Sequence, residues 1–81
     1  MTIGSMQSKI RVLVVDDSAF MRKAITDILN SDGEIQVIDT AKNGVEALDK
    51  AEKLNPDVIT MDLNMPVMDG LECLRRLQAI S

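Results

Sequence analysis

Three carboxylates stand where chemistry is possible: Asp16 and Asp17, side by side after the run IRVLVV, and Asp62, after the run VITM. A single acid after a strand is more often a helix cap than a reactive group, and Asp17 before Ser18 fits that role too. Three acids at the ends of two adjacent strands would be different. Two unit charges about 5 Å apart, at an effective dielectric near 20, repel by about 3 kcal/mol. A hard divalent cation removes that penalty, and Mg2+ accepts one or two carboxylates together with waters and phosphate oxygens. An acid left over beside such an ion can attack phosphorus and form an aspartyl phosphate, the metal offsetting the charge of the entering group. Of the other acids, Asp27, Glu46, Asp49 and Glu72 fall on helical stretches and read as solvated surface.

The remainder of the chain has to bring those acids together. Ile10 to Val15 is β-branched and nearly continuous, the pattern of a parallel strand covered on both faces. Ser18 offers an N-cap for a helix through about Asn30, with Phe20, Met21, Ala24, Ile25, Ile28 and Leu29 at helical spacing. Asn30-Ser31-Asp32-Gly33 is a helix stop and turn. Ile35 to Ala41 reads as a second strand whose partial alternation suits an edge position. A second helix starts around Asn43-Gly44, buries Ala47, Leu48, Ala51 and Leu54, and stops near Asn55 because Pro56 disfavours helical backbone before it.

Val58 to Asp62 is the third strand, and it spills into a loop carrying Pro66 and Asp69-Gly70. Leu71, Leu74, Leu77 and Ile80 then mark a third helix. Cys73 lies inside that helix and reads as a partly buried, inert thiol, while Met65 and Met68 suit loop packing better than a soft-metal pair. The order β-α-β-α-β-α on short connections implies an α/β fold with right-handed crossovers and a parallel sheet. In the order 2-1-3 the first and third strands are neighbours, and the gap between them is the switch point where open α/β sheets bind ligands. Adjacent residues of a regular strand face opposite ways, but beyond the last ladder bond the chain can turn, and Asp16 and Asp17 then reach one pocket with Asp62.

Composition closes off other chemistries. The 81 residues make one small domain, read as residues 9–81 after a short N-terminal segment, 1–8, that is either disordered or a cloning scar. Hydrophobic residues make up 46% of the chain but include one ring, Phe20, a poor basis for stacking on bases or sugars. The net charge of −4 argues against nucleic-acid binding. The absence of histidine rules out a Ser-His-Asp triad, a Cys-His dyad and a histidine zinc site, and the lone cysteine cannot form an internal disulfide. No apolar run approaches the roughly 20 residues of a membrane span, so a cytoplasmic protein with no membrane insertion is expected. A dehydrogenase would need G-x-G-x-x-G after the first strand, and a haloacid-dehalogenase-type phosphatase would need D-x-D there; Asp16-Asp17-Ser18-Ala19 supplies neither.

VLVVDDS followed by PDVITMDLNMPVMDGLE resembles the receiver domain of response regulators in two-component signalling. The wording DDSAFMRKAITDIL and MDLNMPVMDGLE is most similar to the receivers at the front of chemotaxis protein-glutamate methylesterases, and the resemblance runs from about Lys9 to Ser81. It implies a flavodoxin-like fold, Asp62 as the phosphoacceptor, and a histidine kinase as the phosphodonor. It also implies Mg2+ held by Asp16 (mostly through water), Asp17, Asp62 and the backbone carbonyl of Asn64, with Pro66 and Gly70 shaping the loop. Complete receivers have five strands and five helices, with a Ser/Thr ending strand four and a Lys ending strand five. Neither has a counterpart in these 81 residues. The resemblance therefore implies a receiver fragment that is no enzyme in its own right, any methylesterase activity belonging to a further domain.

A sheet of three strands in this order leaves the third strand as an apolar edge, with unpaired backbone groups. The expectation is that the chain does not persist as a monomer but completes its sheet as a homodimer, or by strand exchange, through that edge. The competing reading is an assembly fragment that dimerises and binds Mg2+ without phosphorylation-dependent switching.

Overall fold

One strand lies at the centre of everything else. In the structure, a computed structural model that describes residues 9–62 together with 75–76, β1 (Ile10–Val15) is buried from Val12 onward, and Leu13 and Val14 are fully enclosed. The described elements follow as α1 (Ala19–Asn30), β2 (Ile35–Ala41), α2 (Gly44–Leu54) and β3 (Val58–Met61). All strand pairs are parallel and the order is β2-β1-β3. The expected α/β order is therefore present through β3. Arg75 and Arg76 are helical, and the remainder of the expected third helix, with Glu72 and Cys73, lies outside the described residues, as do residues 1–8, Met65 and Met68.

The chain crosses the sheet in one direction from β1 to β2 and in the other from β2 to β3. Right-handed crossovers then place α1 and α2 on opposite faces. On the α2 face, Leu13, Val15, Ala41, Ala47 and Ala51 form the buried cluster, and Leu48, Ile59 and Met61 pack against it. Val12 and Val14 alternate to the α1 face. The two helices are not buried alike. Ala47 and Ala51 of α2 are enclosed, whereas α1 buries no residue completely, and its Phe20 and Ile28 remain 79% and 69% exposed. Helical spacing located the apolar stripe of α1 but did not reveal how much of it stays uncovered.

Register carries a feature that alternation alone could not reveal. Val37 pairs with Val12 but Asp39 pairs with Leu13, so Ile38 is an extra residue on β2. Bulges of this kind favour edge strands. This one flips the phase of β2, setting Ala41 beside Val15 on the α2 face and Asp39 within reach of Lys50, 3.3 Å away. Lys50 also donates to the Thr40 carbonyl. Asn30, the last residue of α1, accepts the Val37 amide through its side chain at 2.8 Å, next to the bulge.

The helix ends follow their local chemistry. Ser18 caps α1 by accepting the Met21 amide at 3.2 Å, and Asn43 caps α2 by accepting the Glu46 amide at 2.8 Å. Glu46 reaches back to the Lys42 amide at 3.1 Å, so it serves the helix start and is not merely solvated surface. Asp27 and Asp49 are the expected surface acids, each paired one turn away, with Lys23 and Lys53. At the far end of α2, Asn55 adopts the left-handed conformation (φ 50°) and Arg11 clamps the exit. Its guanidinium donates to the carbonyls of Leu54 (2.8 Å) and Asn55 (3.0 Å), while its amide donates to the Asp57 carboxylate (2.8 Å). The clamp fixes where β3 begins against β1.

The turn after α1 works without a left-handed glycine. Asp32 closes it, accepting the Glu34 amide on its side chain and the Ile35 amide on its carbonyl, and no described glycine has positive φ. A Cβ on Gly33 would meet nothing within 4 Å. Gly33→Ala is therefore expected to raise stability by about 0.4–1 kcal/mol through the unfolded chain, measured as a higher urea midpoint at unchanged slope; a lower midpoint would contradict this account of the turn.

Candidate functional site

The carboxyl end of β1 is tied to both neighbours by main-chain hydrogen bonds. The Asp16 amide donates to the Ala41 carbonyl at 3.0 Å, and the Asp62 amide donates to the Val15 carbonyl at 3.1 Å. Asp62 lies one residue beyond β3, where the expected strand had included it, yet its amide still extends the ladder. These two bonds set the backbones of Asp16 and Asp62 on the same edge of the sheet, flanking the gap between β1 and β3.

Past Val15 the chain leaves the strand, as the short turn Asp16-Asp17-Ser18 requires. Asp16 is 9% exposed, and one of its carboxylate oxygens accepts the Ser18 amide at 2.9 Å. Asp17 is exposed and Asp62 half-buried. One carboxylate oxygen from each of Asp16, Asp17 and Asp62 lies within 4.8 Å of the other two. The acids that sequence order separates are thus gathered at one point. Asn64, Pro66 and Gly70 lie outside the described residues.

At such a separation each pair of charges repels by about 3 kcal/mol at an effective dielectric near 20, and by less where Asp17 meets water. The donor set is all oxygen and anionic, suited to a hard divalent cation and unsuited to a soft one. An octahedral Mg2+ holds oxygens at about 2.1 Å, so its ligands stand at most about 4.2 Å apart. The observed limit of 4.8 Å accommodates the ion with one acid bound through water or after a small side-chain rotation.

Sequence reasoning missed two residues that shape this site. Arg22, one turn into α1, donates through Nη1 to the Asp16 carbonyl at 2.9 Å. Ser18, read only as a cap, also holds the Asp16 carboxylate through its amide. Arg22 carried no signal beyond being one of two adjacent basic residues, Arg22-Lys23, near the start of α1.

A three-stranded 2-1-3 parallel sheet with acids gathered at the carboxyl ends of β1 and β3 defines a class, and comparison with known proteins agrees. The family described as the response regulator receiver domain matches residues 12–81, and the chain belongs to it. The particular branch is visible in its relatives. A protein-glutamate methylesterase/protein-glutamine glutaminase of Caldanaerobacter subterraneus subsp. tengcongensis is 58% identical over 76 residues, covering 94% of this chain and 21% of that protein. The response regulator domain of Thermotoga maritima CheB superposes with a TM-score of 0.88 at 51% identity, covering 90% of this chain and 55% of that one. A CheX-CheY-BeF3-Mg2+ complex from Borrelia burgdorferi gives a TM-score of 0.86 at 36% identity, over 96% and 59% of the two chains. The chain is thus a CheB-like receiver that spans about a fifth of the length of the curated relative it matches. No helix among the described residues is long and apolar enough to cross a membrane.

If the gathered acids form a cation site, millimolar Mg2+ stabilises the fold by mass action, by about 2.7 kcal/mol at a hundredfold excess over Kd. Thermal unfolding is expected to shift upward with Mg2+, and Asp17→Asn to lose most of the shift. An unshifted wild-type curve would rule out cation binding by this arrangement.

Proposed function

We propose that this chain is the phosphoacceptor module of a chemotaxis-type phosphorelay, in which Asp62 takes a phosphoryl group from a histidine kinase. The observation that carries this reading is the approach of the Asp16, Asp17 and Asp62 carboxylates to within 4.8 Å of one another in a receiver fold. A carboxylate oxygen of Asp62 attacks the phosphorus of a phosphohistidine; the new O–P bond forms as the P–N bond breaks, and the departing imidazole nitrogen recovers a proton from solvent. Asp17, Asp62 and the backbone carbonyl of Asn64 would hold Mg2+, with Asp16 acting mostly through water, and Pro66 and Gly70 would shape the segment around Asn64. When bound, the ion neutralises the converging negative charge of carboxylate and phosphoryl oxygens. Support for both the ion and the phosphoryl group comes from the related CheY, whose structure is described as a complex with BeF3 and Mg2+.

In this reading residues 9–81 form the receiver unit, the chain works in the cytoplasm, and methylesterase chemistry belongs to a separate domain. Acetyl phosphate with Mg2+ is expected to label wild-type protein, giving an acid-stable, base-labile adduct. Chelation and Asp62→Asn each abolish it. Label that survives Asp62→Asn would sink the assignment.

A second reading, an assembly fragment, rests on an open strand edge and on exposed apolar side chains of α1. Among the described residues β3 pairs on one side only, Val58 is 46% exposed, and Phe20 and Ile28 of α1 are open. Here two copies join β3 edges across a two-fold axis and bind Mg2+ without switching. Sedimentation equilibrium of the 81-residue chain is expected to show a dimer; a compact monomer at tens of micromolar would remove this reading and leave the first intact.

A further inference from the structure

We propose that Arg22 is a positioning residue for the divalent-cation site, acting through the main chain of Asp16. This deepens the proposed function and rests on the reading that the three acids bind Mg2+. Asp17 is exposed and forms no hydrogen bond of its own among the described residues, so its two neighbours must hold it. Both neighbours are bound to Arg22. The Arg22 side chain donates to the Asp16 carbonyl at 2.9 Å, and the Arg22 amide donates to the Ser18 carbonyl at 2.9 Å. Ser18 in turn donates its amide to the Asp16 carboxylate at 2.9 Å and caps α1 at Met21 through its hydroxyl. A single residue on the first turns of α1 thus spans the acid-bearing turn at both ends.

The charge of Arg22 makes the inference testable. A guanidinium close to a cation site disfavours the cation by simple repulsion. If charge were its main effect, removing it would tighten Mg2+ binding. If it positions Asp16 and Asp17, removing it weakens binding, as loss of a supporting contact typically does by tenfold or more.

The experiment is titration of the 81-residue chain with Mg2+ alone, by calorimetry, with thermal unfolding in EDTA run in parallel. Arg22→Met is expected to bind about tenfold more weakly, with its EDTA midpoint close to wild type. Arg22→Lys, whose ammonium can still donate to the Asp16 carbonyl, is expected to recover most of the affinity. Arg22→Gln, which keeps helix propensity but is shorter, replaces the Met variant if that one does not fold. Unchanged or tighter binding in the Met or Gln variant overturns the proposal. So does a loss that tracks the EDTA midpoint, or one that Lys fails to restore. Wild-type protein that binds no Mg2+ would instead overturn the underlying cation-site reading, a result distinct from any difference among the variants.

Discussion

The structure depends on two main-chain hydrogen bonds at the carboxyl end of β1: Asp16 to the Ala41 carbonyl and Asp62 to the Val15 carbonyl. They hold three strand ends level, and level strand ends make acids from distant parts of the chain meet. A parallel sheet brings all its carboxyl termini to one edge, so the site follows from topology before any side chain is considered. What remains is to keep the strands from slipping, and that falls to burial. Leu13, Val14 and Val15 are almost completely enclosed, and a one-residue slip would move each to the opposite face.

The acidic site is held in place from outside. Converging carboxylates repel, and a sheet with nothing else at its edge would relax by swinging Asp17 outward. Several contacts oppose that movement: Ser18 on the Asp16 carboxylate, Arg22 on the Asp16 carbonyl, and the start of α1 anchored at Ser18. On the far side, Arg11 fixes the end of α2 and Asp57, and with them the entry of β3. Both arginines act on backbone carbonyls. Five fixed donors suit a guanidinium to that task, since it can bridge groups belonging to different elements.

The two faces of the sheet differ in completeness, and the difference has a physical origin. The α2 face is filled by small residues, Ala41, Ala47 and Ala51, which let the helix lie close over Leu13 and Val15. On the α1 face the stripe of larger residues is only partly used: Phe20, Met21 and Ile28 remain open to solvent within the described residues. Their periodicity marks α1 as a helix with an apolar side, yet periodicity is silent about what covers that side.

By itself the sequence determined the types and order of the elements from β1 to β3, because β-branched runs, helical stripes, Ser18, Asn43 and Pro56 are local signals that act within a few residues. It also determined the identity of the candidate acids, since all three stand within two residues of a strand end. Other features were decided only by tertiary structure. The bulge at Ile38 arises because β2 must match β1 and α2 at once, so Ala41, and not Thr40, lands beside Val15. The roles of Arg11 and Arg22 appear only when the end of α2 and the turn after β1 come within reach of their guanidinium groups. The gathering of Asp16, Asp17 and Asp62 belongs to both levels. The residues were legible in the chain, but their approach to within 4.8 Å exists only because β1 and β3 are hydrogen-bonded neighbours.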